Sequence, residues 1–195
     1  MPPRELSQPI LLGTSNEGKL DEISRFARTL GFEVFGLKDQ LCAARGAPPH
    51  VAEVAVSYEG NSRLKAVAYA RWYGRPCIAD DTGLELGALR GLPGVYTAPW
   101  GAKRVQEALG VRRVVGARFV CCMSYAEPAG RVVSTVGVVE GELRDLDATK
   151  AVGPLPFSKF FYPQGGSESM DSLLESGFSS SHRFLALKSL VDVLS

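Results

Sequence analysis

Cysteine and histidine are scarce in this chain. Its four cysteines, Cys42, Cys77, Cys121 and Cys122, stand at no C-x-x-C spacing, so there is no zinc-ribbon pattern. Cys121 and Cys122 adjoin inside an apolar run and read as small buried hydrophobes, as expected in a reducing compartment. An excess of one charge is also lacking: 22 Lys and Arg face 21 Asp and Glu, a formal net charge of +1. That excludes a chain-wide basic field for gripping nucleic acid and leaves only the local stretch Arg112-Arg113 with Arg118. No apolar run approaches the ~20 residues that a membrane-spanning helix needs, and Gln8–Leu12 is too short for the core of a signal peptide. No internal repeat and no linker between independent domains is visible. What is present is 195 residues, 45% apolar and 9% aromatic, enough for a sizeable buried core and too apolar for disorder. The expectation is a cytoplasmic globular protein, one domain over residues 1–195, with neither membrane nor nucleic acid as partner.

The periodicities point to an α/β fold. Ile10–Leu12 reads as a strand, and after the polar turn Gly13–Lys19 the residues Leu20, Ile23, Phe26, Ala27 and Leu30 fall on one helical face. Gly31 stops that helix and Phe32–Phe35 reads as a second strand, which makes a βαβ opening. Leu37–Val51 reads as a loop around Pro48-Pro49. Asn61–Tyr73 reads as a helix closed by Gly74. Pro76–Ala79 reads as a short buried strand that ends abruptly at Asp80-Asp81-Thr82-Gly83, with Leu84–Leu86 a short strand beyond it. Lys103–Leu109 reads as a short helix, and Arg118–Ala126 and Arg131–Glu140 as a hairpin turned by Glu127–Gly130. Arg144–Gly166 reads as irregular, and Phe184–Leu194 as a closing helix with Ser181 as N-cap.

Four segments carry residues suited to chemistry. In the first, Gly13-x-x-x-x-Gly18-Lys19 matches the phosphate-loop pattern except that Leu20 replaces the Ser or Thr that holds Mg²⁺ there, which counts against a kinase or GTPase. Thr14, Ser15, Asn16 and Lys19 nevertheless sit at a helix N-terminus, which attracts phosphate; the plainer alternative is an N-cap with a solvated lysine. In the second, Asp80 and Asp81 end a buried strand, where ligands of α/β sheets gather. Adjacent carboxylates favour a divalent cation such as Mg²⁺ or a raised pKa on one of them; the alternative is an Asx-turn. In the third, Asn61 and Lys65 share a helix face downstream of Glu53 and Ser57, a set that equally describes a solvated face. The fourth, Ser181-His182-Arg183, offers donors for a base carbonyl or a phosphate, or is an ordinary surface pair.

Taken in order, these segments resemble the inosine triphosphate pyrophosphatase family, the Ham1-like nucleotide-pool cleaners. The resemblance rests on Thr14-Ser15-Asn16-Glu17-Gly18-Lys19, on Glu53, Ser57, Tyr58, Asn61, Lys65 and Ala66, on Ala79-Asp80-Asp81-Thr82-Gly83-Leu84, on Gly91–Ala98 and on Ser181–Leu187. It implies an elongated two-lobed α/β fold with a central mixed β-sheet flanked by helices and a cleft between the lobes, usually as a homodimer. It further implies Mg²⁺-dependent hydrolysis of nucleoside triphosphates, with deaminated purines such as ITP, dITP and XTP favoured, to monophosphate and pyrophosphate. Water then attacks the α-phosphorus, which calls for a metal, a carboxylate base and cations on the phosphates. The resemblance assigns Asp81 as general base and Glu53, Asp80 and Asp81 as holders of Mg²⁺. It assigns substrate contacts to Thr14, Ser15, Asn16, Lys19, Ser57, Asn61, Lys65, Thr82, Phe157, Ser181, His182 and Arg183. Among these, Asn16, Lys19 and Lys65 clamp the triphosphate while His182 and Arg183 read the 6-keto edge of the base.

The chain departs from the family in its base-recognition half. In place of F-G-[Y/W]-D-P it has Pro154-Leu155-Pro156-Phe157-Ser158, with Phe157 where the aspartate would be. Gly177 stands in place of a lysine, and Pro99 where an arginine usually follows. Two expectations follow: a working pyrophosphatase with altered base preference, and a divergent nucleotide-binding paralogue with little turnover.

Overall fold

The computed structural model describes Pro3, residues 6–176 and residues 180–195. Gly177 lies outside the described residues. By contact the chain divides into two compact units. One comprises Met1–Asp81, Cys121–Gly137 and Arg183–Ser195, the other Thr82–Val120 and Val138–His182.

The first unit opens with β1 (Ile10–Leu12), α1 (Glu17–Thr29) and β2 (Val34–Gly36). β1 pairs parallel with β2, Leu11 opposite Phe35, and parallel with β3 (Cys77–Leu86), Leu11 opposite Cys77. Parallel neighbours need a crossover, and α1 supplies it. The strand expected at Phe32–Phe35 is β2, shifted toward Gly36. The expected loop Leu37–Val51 contains a 3-10 turn, Gln40–Arg45, whose Asp39 side chain accepts the Leu41 N–H. α2 (Tyr58–Tyr73) starts three residues before its expected position, because the Ser57 hydroxyl caps it by accepting the Gly60 N–H at 3.1 Å. Gly74, left-handed at φ 79°, ends it. Along α2 the residues Asn61, Ser62, Lys65, Ala66, Tyr69, Ala70 and Tyr73 are buried, a stripe at helical spacing. Its apolar part packs with Leu11, Phe35, Leu37, Cys42, Cys77 and Ala79 into one core cluster.

The second unit holds β4 (Pro93–Gly94), α3 (Thr97–Leu109, kinked at Gly101), β7 (Phe161–Pro163) and α4 (Met170–Glu175). Thr97 ties β4 to the far end of β3: its hydroxyl accepts the Leu84 N–H at 2.8 Å and donates to the Gly94 carbonyl at 2.6 Å. β7 lies in the stretch expected to be irregular and pairs antiparallel with β6 (Val132–Arg144). β5 (Val114–Ala126) and β6 are the expected hairpin, each longer than its sequence pattern indicated. The strand order is β2-β1-β3-β5-β6-β7, with β4 beside β3. With parallel pairs at β1 and antiparallel pairs at β3–β4 and β6–β7, the sheet is mixed. The chain closes with α5 (His182–Leu194). In the first unit α5 meets α1 through Phe184 edge-on to Phe26, centroids 5.3 Å apart, and β6 through the Thr135 hydroxyl on the Ala186 carbonyl at 2.8 Å.

One expectation is overturned. Asp80-Asp81-Thr82-Gly83 is not a turn but the middle of β3, a single strand from Cys77 to Leu86. Acidic residues count against a strand by propensity. Here tertiary partners satisfy them.

Candidate active site

The turn after β1 is built to aim a lysine. The Asn16 side chain caps α1 by accepting the Lys19 N–H at 3.0 Å, and its own N–H donates to the Thr14 hydroxyl at 3.2 Å. Ser15 is exposed. Lys19, in the first turn of α1, then places Nζ 2.8 Å from Asp80 Oδ2. The lysine is therefore not a solvated one.

Asp80 is 0% exposed. Burial alone pushes its pKa up, but Lys19, Lys65 and Arg183 together outweigh that and hold the carboxyl below the ordinary range. Asp81 moves the other way. Burial raises its pKa and the Glu53 charge adds to the rise, only partly opposed by Lys65, the Asn61 amide and Lys19. Two adjacent carboxylates thus have their proton affinities driven apart, the arrangement that separates a structural anion from a base.

The α2 face gathers the rest. Lys65 Nζ lies 2.9 Å from Glu53 Oε2. Burial would lower its pKa, but Asp80, Glu53 and Asp81 more than compensate and keep it charged. The Asn61 amide donates to Asp81 Oδ2 at 3.0 Å and its oxygen accepts the Ala55 N–H at 2.9 Å. The solvated-face alternative for Asn61 and Lys65 is overturned, since both are buried. The same holds for His182 and Arg183, buried rather than a surface pair. Arg183 Nη1 is 2.7 Å from Glu22 Oε2 and Nε is 3.8 Å from Asp80 Oδ2.

The first unit therefore brings together Lys19, Glu53, Asn61, Lys65, Asp80, Asp81 and Arg183, with Thr14 and Asn16 shaping the turn and Ser57 capping α2. Thr82, Phe157, Ser181 and His182 belong to the second unit. There Thr82 is half-buried in β3 and Ser181 is buried. Phe157 is only 4% exposed, its carbonyl taking the Phe160 and Phe161 N–H groups at 3.1 Å each. His182 is stacked on Phe119, centroids 4.6 Å apart at 15°, and Phe119 packs on Phe161.

Sequence reasoning missed Glu22 and Phe119. Glu22 had a signal: it lies beside Ile23, Phe26 and Ala27 on the buried face of α1, where a carboxylate requires a buried cation. Phe119 had none beyond its inward position in β5.

Carboxylate oxygens suit a hard cation such as Mg²⁺, which keeps several waters and binds through one or two carboxylates plus substrate phosphates. Among the described residues no group of three or more His, Cys, Asp or Glu is gathered tightly enough to hold an ion by itself. The half-exposed Glu53 and the Asp81 carboxylate fit the smaller requirement, while Asp80 is fully buried.

The chain is similar over most of its length to known proteins. The Ham1 family model matches residues 10–193. A dITP/XTP pyrophosphatase of Exiguobacterium sibiricum is 31% identical, over 93% of this chain and 94% of its own length. One of Thermus thermophilus is 33% identical, over 94% and 90% respectively. Among solved structures, the Ham1 protein of Staphylococcus aureus superposes with a TM-score of 0.72 at 27% identity, covering 96% of this chain and 98% of that one. A HAM1 protein of Coxiella burnetii gives 0.74 at 26% identity, with the same coverage. With the family model spanning nearly its whole length, the chain belongs to the Ham1 family.

Proposed function

We propose that this protein hydrolyses nucleoside triphosphates, deaminated purines such as dITP, ITP and XTP among them, to the monophosphate and pyrophosphate, with Mg²⁺ as cofactor. The relatives' activity as dITP/XTP pyrophosphatases supports the substrate class. The observation that carries the reading is one cluster: Lys19 Nζ 2.8 Å from Asp80, Lys65 Nζ 2.9 Å from Glu53, and Asp81 beside them on the Asn61 amide at 3.0 Å. When bound, Mg²⁺ supplies charge neutralisation on the phosphates, with Asp81 and Glu53 as its protein oxygens.

The chain's own residues do the remainder. Asp81 accepts the proton of the water that attacks the α-phosphorus, its carboxylate held in place by the Asn61 amide at 3.0 Å. Lys19 and Lys65, held by Asp80 and Glu53, turn to the incoming phosphate oxygens when substrate binds. Asn16 caps α1, and a helix N-terminus attracts phosphate. A homodimer and a cytoplasmic setting belong to the same reading.

Release of pyrophosphate from ITP, XTP, dITP and the ordinary triphosphates with Mg²⁺ is the test. Turnover that vanishes in Asp81→Asn supports the assignment. No release above that variant with any triphosphate would sink it. The second reading, nucleotide binding with little turnover, is favoured by one observation: Phe157, at the place of the family's acid, lies in the interior. Calorimetric binding of ITP without turnover would establish it instead.

A further inference from the structure

We propose that Asn61 is a positioning residue for Asp81, rather than a substrate contact: its side-chain amide sets the orientation of the Asp81 carboxylate and links it to the loop that carries Glu53. The inference rests on the enzymatic reading above and deepens it.

Asn61 is 3% exposed, and each end of its amide has an assigned partner. The Ala55 N–H can only donate, so it must meet Oδ1, at 2.9 Å. That leaves Nδ2 facing Asp81 Oδ2, at 3.0 Å. The partners thus fix which way the amide points. Ala55 is two residues beyond Glu53, whose carboxylate is on Lys65. A single side chain therefore spans from the backbone beside one proposed Mg²⁺ holder to the carboxylate of the other. The first turn of α2 anchors it, since its own N–H donates to the Ser57 carbonyl at 3.1 Å.

Asn suits the position because it joins one acceptor and one donor at a fixed spacing on a short stem. Asp supplies acceptors only. Gln carries the same groups one methylene further out. A carboxylate free to rotate presents its basic oxygen in the reactive direction only part of the time, and small misplacements at a reacting group cost about 10²-fold in rate.

Three variants test this. Asn61→Asp keeps an acceptor for Ala55 and deletes the donor to Asp81, leaving two carboxylates face to face. Its kcat for ITP falls by about 10²-fold, with KM changed by less than about 3-fold. Asn61→Gln recovers part of the lost kcat. The exchanged pair Asn61→Asp/Asp81→Asn places donor and acceptor in reversed positions. It returns the thermal midpoint that Asn61→Asp loses, a readout independent of activity, while turnover is lost with the Asp81 carboxylate. The inference is overturned if Asn61→Asp keeps its kcat within about 3-fold of wild type, if the whole loss appears in KM, or if the exchanged pair is no more stable than Asn61→Asp. A wild type inert toward every triphosphate overturns the enzymatic reading itself; an active wild type with an unaffected Asn61→Asp overturns this inference alone.

Discussion

Removing one member of a buried ion pair costs more than the pair contributes, because the other member is left charged and without water. Glu22 and Arg183 are such a pair, 2.7 Å apart with side chains 1% and 4% exposed. Glu22→Gln is expected to cost about 3–5 kcal/mol, read from urea denaturation at neutral pH. Asp80 has its own pH signature. Its folded-state pKa lies below the ordinary value, so it contributes stability that is present above about pH 4 and lost as pH falls toward the folded value. Urea midpoints of the wild type and Asp80→Asn should differ most at neutral pH and converge in acid. A constant gap across that range would contradict the assignment. The sequence named Asp80, Arg183 and Lys19 as candidates without their mutual contacts, since every pair of them is 61 or more residues apart and they meet only after folding.

At the scale of elements, the turn after β1 and helix α2 approach closely. A Cβ built on Gly13 meets Tyr69 Cδ2 at 2.5 Å, Cys77 Sγ at 3.1 Å and Ala79 Cβ at 3.2 Å. Gly13→Ala is therefore expected to overpack the first unit and cost about 1–3 kcal/mol, seen as a lowered thermal midpoint. The α2 cap is a smaller term: Ser57→Ala loses the hydroxyl that accepts the Gly60 N–H and costs about 1 kcal/mol. The helix α1 was legible because its apolar spacing repeats over several turns. On α2, by contrast, the expected run Leu64, Val67, Ala68 and Arg71 is not the buried face, which instead mixes Asn61, Ser62 and Lys65 with Ala66, Tyr69, Ala70 and Tyr73. β3 was not legible as one strand. Its polar quartet looks like a stop signal until Lys19, Asn61, Lys65 and Arg183 arrive from α1, α2 and α5 to satisfy Asp80 and Asp81.

For the whole molecule, chelation gives the broadest test. Removing divalent cations with EDTA is expected to abolish pyrophosphate release, and excess Mg²⁺ to restore it. Activity that persists in EDTA would contradict Mg²⁺ dependence. No helix among the described residues is long and apolar enough to cross a membrane, and all four cysteines are buried, as the apolar run around Cys121 and Cys122 indicated for those two and as the loop reading around Cys42 did not.

The βαβ opening, the helix N-terminal turn and the identity of the acidic and basic residues lie in the sequence alone, because they follow from local periodicity and from residue types at short spacing. Which carboxylate is buried ionised, which is driven toward protonation, and that Asn61 and Arg183 face inward were decided only by the tertiary structure. Those properties arise from burial and from charges contributed by distant stretches of chain, and neither exists until the strands and helices have packed.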